Sequence, residues 1–334
     1  MGTCYLHIGV PKTGSTSIQA SLASGQQQLA EHGYYYPVFE INHRFLTSAF
    51  LERPETFDYN EFLSLSASEI NERNDNNLRR LESEFQASGC TNLVLSSEHL
   101  VLLSELSIRR LQDYLHANFA NTIVVVYFRH PLSSAASMIQ EMIKNGVSTL
   151  DLLTAHPPFN RPKRILKSWS RCFDPKFIRV RDFSYQSLVN HDLIADFLYC
   201  IDFRGDVNLF PRLYKRQSLS MPAVLIANQL ASLYPKYSPA RAPQHRLSLL
   251  LERIPGPKYF PDPATVAVIL EQATTELAYL REEWSLSLKT PSPADVLLNP
   301  TQANLWTTDV LRSLAMILNL LAASDAKIPK QSDS

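Results

Sequence analysis

Near the start of the chain, Pro11-Lys12-Thr13-Gly14-Ser15-Thr16-Ser17 gathers one lysine and four hydroxyl side chains around a glycine. Such a set binds anions. The lysine brings a compact positive charge with three donors, and Thr13, Ser15, Thr16 and Ser17 add short polar donors. Gly9 and Gly14 can take backbone angles closed to other residues. A helix beginning just after Gly14 would add its unpaired N–H groups and the positive end of its dipole, completing a phosphate site.

The flanking residues supply a strand and a helix for that loop. Thr3 to Ile8 is a β-branched, aromatic and aliphatic run of strand length, and the residues after Gly14 read as a helix that Ser15 or Thr16 would cap. The nucleotide triphosphatase loop, G-x-x-x-x-G-K-[ST], carries its lysine after the second glycine; here Lys12 comes before Gly14. Glycine, serine and threonine also collect in ordinary strand-to-helix turns, and Lys12 sets this one apart. Gly33 to Pro37 offers a short strand, and Asn92 to Leu100 contains a stronger one. The unbroken apolar run Ile123 to Phe128 suits a strand covered on both faces. Lys176 to Phe183 is the last of the series. Helical stretches intervene around Ile108 to Asn118, from Pro131 onward, and after Asp192, where Leu193, Phe197 and Cys200 share a face.

The alternation predicts an α/β fold with a parallel central sheet flanked by helices, whose ligands bind outside the carboxyl ends of the strands. The Lys12 loop and Arg129 both fall at such ends. Beyond Arg216 the chain reads as mainly helical, at Met221 to Tyr234, Ala264 to Trp284 and Thr307 to Ala323, between proline-rich segments. Residues 1–325 form one expected domain and 326–334 a flexible tail.

With 334 residues, 45% of them hydrophobic and 19% charged, the chain can bury a full core. Its formal net charge of zero gives no global field for nucleic acid or an anionic membrane, so neither is an expected partner and any polyanion site must be local. Cys4, Cys90, Cys172 and Cys200 are scattered without a C-x-x-C pair, which points away from a zinc site or a disulfide framework and toward a reducing cytoplasm. No signal peptide or transmembrane segment is expected: the strand begins at once, and the apolar run Leu314 to Ala323 is too short to span a bilayer.

The order P-K-T-G-S-T-S resembles the 5′-phosphosulfate-binding loop of sulfotransferases that use 3′-phosphoadenosine-5′-phosphosulfate (PAPS). Phe128-Arg129-His130-Pro131, with Ser137 beyond it, is similar to that family's second signature, a strand ending in arginine with a serine on the next helix. The resemblance implies a P-loop-containing nucleotide-binding fold in which Lys12, Thr13, Gly14, Ser15, Thr16 and Ser17 hold the 5′-phosphosulfate. Arg129 and Ser137 would hold the 3′-phosphate, through a planar guanidinium fork and a hydroxyl donor. Ser133 or Ser134, closer to the helix start, could take the place of Ser137. Ser168 to Leu198 resembles the central segment of bacterial sulfotransferase-like proteins. Arg216 to Ser220 resembles a serine-containing segment placed before a late helix, although Arg216 stands where relatives often carry asparagine.

The resemblance implies sulfuryl transfer from PAPS to an acceptor hydroxyl, on a carbohydrate or a small metabolite, with release of the desulfated product PAP. Lys12 would stabilise the leaving phosphate oxygen, and no metal is required. Glu98 and His99 are the two candidates for the base. Family members use either residue type, and the strand alternation expected at this point would send the two side chains to opposite faces. A small-molecule kinase and a non-catalytic PAP-binding scaffold are the alternatives. The reversed lysine order and the lack of an acidic magnesium motif after a strand weigh against the kinase.

Overall fold

The first apolar run forms β1 (Thr3–His7), the middle strand of a five-stranded, wholly parallel sheet of order β2-β3-β1-β4-β5. The other strands are β2 (Tyr34–Tyr35), β3 (Asn92–Ser96), β4 (Asn121–Phe128) and β5 (Ile178–Asp182). The computed structural model describes residues 2–213, 218–291 and 307–324. Its helices up to β4 are α1 (Ser15–Ser24), α2 (Gln26–Glu31), α3 (Arg44–Phe50), α4 (Asp58–Phe62), α5 (Ala67–Ser88) and α6 (Glu105–Asn118). After β4 come α7 (Pro131–Lys144), α8 (Leu150–Ala155), α9 (Pro162–Ser170) and α10 (Leu193–Cys200). The last are α11 (Met221–Leu233), α12 (Gln244–Leu251), α13 (Pro263–Trp284) and α14 (Thr308–Ala323).

The chain divides into two compact units. The first comprises Met1–His130, Asn160–Lys215 and Thr274–Lys289 and contains the whole sheet. Successive strand residues face opposite sides, so β1 sends Cys4 and Leu6 into one core and Tyr5 into the other. The first core is closed by Phe45 and Phe50 of α3, Ile108 and Leu111 of α6, Trp169 of α9 and Leu280 of α13. The second is closed by Ile18 and Leu22 of α1 and by Leu193 and Phe197 of α10. Helices on both faces are what an all-parallel sheet requires, and Val124 to Phe128 are accordingly all buried.

The second unit, Pro131–Phe159, Arg216–Ala273 and Thr290–Ser334, is helical in its described residues, with a core of Ile139 and Ile143 from α7, Val224 and Leu230 from α11, Leu247 from α12 and Ala315 from α14. Arg241 donates to the carbonyls of Lys144 (2.7 Å) and Tyr234, closing the C-terminal ends of α7 and α11. Ser220 accepts from Ala223 N at 3.2 Å and caps α11. Arg216, Gln217 and the tail 326–334 lie outside the described residues. Among the described residues no helix is long and apolar enough to cross a membrane.

The sheet has the expected α/β order, and two local expectations shift. β5 begins at Ile178 because Asp174 and Pro175 start a 3-10 turn over Pro175–Phe177. The cap at α1 is Gly14 itself, in the left-handed region at φ 80, and Ser15 and Thr16 are helical residues.

Two histidines lie wholly inside the first unit. His7 Nδ1 is 2.7 Å from Ser96 Oγ. His43 accepts the Ser96 N–H at Nδ1 (2.9 Å), so it donates from Nε2 to Pro37 O (2.8 Å) and must be neutral. Burial pushes His7 from 6.5 to about 3 and His43 to about 4. The unfolded chain therefore takes up protons below about pH 6.5 that the folded chain refuses. Stability is complete above that pH and is lost as the pH falls toward 4, by about 2 kcal/mol per histidine at pH 5. The urea midpoint is expected to fall clearly between pH 7 and pH 5; an unchanged midpoint would contradict two buried neutral imidazoles.

Candidate anion-binding and active site

Strand order places the loop. β3 lies on one side of β1 and β4 on the other, so the chain's direction of travel across the sheet reverses between β1 and β4. In open α/β sheets the crevice outside the carboxyl ends of two such strands receives ligands. Residues 8–14 leave β1 there, and Arg129 and His130 leave β4.

The loop is held in an unusual conformation. Gly9, Lys12 and Gly14 have φ of 27, 68 and 80. For lysine, the left-handed region costs about 1–2 kcal/mol relative to the ordinary one. Two side chains fasten the turn. Thr13 Oγ1 donates to Val10 O at 2.6 Å, and Asn160 Nδ2 donates to Pro11 O at 3.1 Å. A non-glycine residue held this way needs surroundings that over-determine it, and such strain gathers at functional sites. The Gly14 carbonyl accepts from Ser17 N and Ile18 N, and α1 has no side-chain cap. Among the described residues nothing accepts from Ser15 N or Thr16 N, so two donors at the positive end of the helix remain available.

Not every hydroxyl of the motif can reach a ligand. Thr13 is buried and its hydroxyl is engaged with Val10. Ser15 Oγ is buried without a partner, beside Gly9. Thr16 is exposed and Ser17 half-buried, so these two present side chains. Lys12 is half-buried.

Phe183 connects the loop to Arg129. A Cβ on Gly14 would lie 2.8 Å from Phe183 Cε2, and the Arg129 guanidinium lies 5.8 Å from the centre of the same ring. One phenyl group thus separates the Lys12 loop from the arginine. Among the described residues no carboxylate or carbonyl accepts a hydrogen bond from Arg129, and burial lowers its pKa. Phe183 follows β5, and its N–H donates to Phe128 O at 2.7 Å, which holds its backbone to the end of β4.

Glu98 and His99 sit in a 3-10 turn, Glu98–Leu102, after extended Ser97. Strand alternation therefore does not govern their directions; successive residues of such a turn are about 120° apart. The Glu98 backbone packs on the loop, with its Cα 3.0 Å from where a Gly9 Cβ would be. Its half-buried carboxylate has no hydrogen-bond partner among the described residues. The His99 ring instead meets Phe57 edge-on at 5.3 Å, with Nδ1 buried and unpartnered. Burial lowers its pKa, against the opposing charge of Glu98.

The first unit thus brings together Lys12, Thr13, Gly14, Ser15, Thr16, Ser17, Glu98 and Arg129. Ser137 is half-buried on α7, in the second unit, as is Ser133; Ser134 of the same helix is fully buried. Phe183 escapes a reading of the sequence, because a phenylalanine after a strand has no chemical signature until its neighbours are known.

No protein-family profile matches the chain, and no curated protein matches it. Among solved structures it is similar to the sulfotransferase domain from the curacin biosynthetic pathway, at 14% identity over 82% of this chain and 97% of that one, with a TM-score of 0.36.

A desolvated cation without a carboxylate is not a stabilising feature of a fold. Arg129→Met, which keeps the stem and removes the charge, is therefore expected to leave the thermal midpoint unchanged or raise it. A midpoint several degrees lower would show that the guanidinium has a structural partner.

Proposed function

We propose that the chain is a PAPS-dependent sulfotransferase acting on a hydroxyl of a carbohydrate or a small metabolite. The observation that carries this reading is the half-buried Arg129 guanidinium, without a carboxylate partner among the described residues, one ring away from a strained lysine loop. Two separated anion sites on neighbouring strand ends suit a nucleotide with phosphates at both the 3′ and 5′ positions. The donor set fits that group: two uncapped N–H groups and Lys12 for one phosphate, a planar fork for the other. The assignment rests on residues of the first unit alone.

When bound, PAPS supplies the sulfuryl group and a phosphate leaving group. Ser15 N and Thr16 N bind the 5′-phosphate, and the ammonium of Lys12 stabilises negative charge developing on the leaving oxygen. Arg129 binds the 3′-phosphate and fixes the register of the nucleotide. Glu98 is the proposed base: its carboxylate would take the proton of the acceptor hydroxyl as the acceptor's oxygen bonds to sulfur and the bond from sulfur to the phosphate oxygen breaks. The packing of Glu98 on Gly9 supports this choice over His99, whose ring is directed to Phe57.

The test is a panel of hydroxyl acceptors incubated with PAPS and a chelator, read as PAP release. Lys12→Ala is expected to abolish transfer. Glu98→Gln is expected to lower it on the order of 10²–10⁴-fold, with PAP affinity unchanged. A thermal shift with ATP and magnesium but none with PAP would contradict the proposal and favour a kinase.

A further inference from the structure

We infer that Gln19, acting through Ser96, is a positioning residue for the phosphate loop, an inference that rests on the function proposed above. Gln19 lies just over one turn inside α1, on the face that buries Ile18 and Leu22, and is 5% exposed. Its Nε2 donates to Ser96 O at 3.1 Å and to Ser96 Oγ at 3.3 Å. Ser96 is the last residue of β3, and its hydroxyl also meets His7 Nδ1, at the last residue of β1.

The ladder explains why a donor is needed there. Ser97 N donates to His7 O at 3.0 Å, so it is Ser97 whose backbone turns to β1, and Ser96 O, one residue earlier, faces the β2 edge of the sheet. β2 is too short to reach it, pairing only with Asn92 and Leu93. A buried carbonyl left unmatched is costly, and the Gln19 amide supplies the missing donor. Helical side chains tilt toward the helix N-terminus, which carries the Gln19 amide back to the carboxyl edge of the sheet.

An aliphatic residue would fill this place between Ile18 and Leu22. The amide does something an aliphatic residue cannot: it ties the helix whose first two N–H groups face the anion to the strand that reaches Glu98 two residues later. Loop and base-bearing turn then keep one spacing. His43, which takes the Ser96 N–H, fastens the same residue from the other side.

Calorimetric titration with two ligands tests this. PAP carries both phosphates, whereas 3′-AMP lacks the one that the loop would hold. Wild-type protein is expected to prefer PAP. Gln19→Met keeps length and apolar volume without the donors; it is expected to weaken PAP binding about tenfold and leave 3′-AMP binding unchanged. Should that variant fail to fold, Ser96→Ala is expected to lose part of the preference for PAP and Ser96→Thr, which keeps the hydroxyl, to retain it. An undiminished preference in these variants, or equal weakening of both ligands, would overturn the positioning role. Wild-type protein that does not distinguish the two ligands would overturn the proposed function itself, and the inference with it.

Discussion

Because β1 pairs with β3 along one edge and with β4 along the other, all three strands end on the same side of the sheet. The segments that leave them carry Lys12, Glu98 and Arg129, and parallel pairing brings these residues to one edge although 117 positions of sequence separate the first from the last. The pairing in turn depends on burial. Val124 to Phe128 can form an all-buried strand only because α6 and α9 cover one face and α1 and α10 the other.

The same edge concentrates unfavourable features. Arg129 is partly withdrawn from water without a carboxylate partner among the described residues, Lys12 is held in the left-handed region, and the first N–H groups of α1 are uncapped. Each of these opposes stability by an amount on the order of 1 kcal/mol or more. In the proposed reading the first and the last are met by one thing, a multiply charged anion. Their supports are apolar or hydrogen-bonded: Phe183 under the arginine, Thr13 and Asn160 on the loop carbonyls, Gln19 and Ser96 behind the helix. Fastened surroundings around a cation without a carboxylate partner among the described residues are the arrangement expected of a preorganised site.

Much of this was legible in the residues themselves. Apolar runs locate the longer strands, because a strand buried on both faces must be apolar throughout, and Lys12 with Gly14 marks the loop. The short helix α3 escapes, since its seven residues give too few turns to show a period. That Glu98 and His99 point apart was expected; which of them packs on the loop was not legible, because β3 ends at Ser96 and a 3-10 turn, not strand alternation, sets their directions. Nor could the roles of Thr13 and Ser15 be read from composition. Their hydroxyls look like ligands in a list of residue types, and the fold uses one as a staple and buries the other.

The central claim is that Arg129 and the Lys12 loop together bind a nucleotide phosphorylated at two positions. Calorimetric titration of PAP against 5′-AMP, which lacks the 3′-phosphate, tests it most directly when repeated in Arg129→Met. The account predicts that wild-type protein binds PAP at least about 100-fold more tightly, as expected when a guanidinium loses two charge-assisted hydrogen bonds, and that the difference disappears in the variant. Equal affinities for the two nucleotides in wild-type protein, or a preference that survives without Arg129, would contradict it.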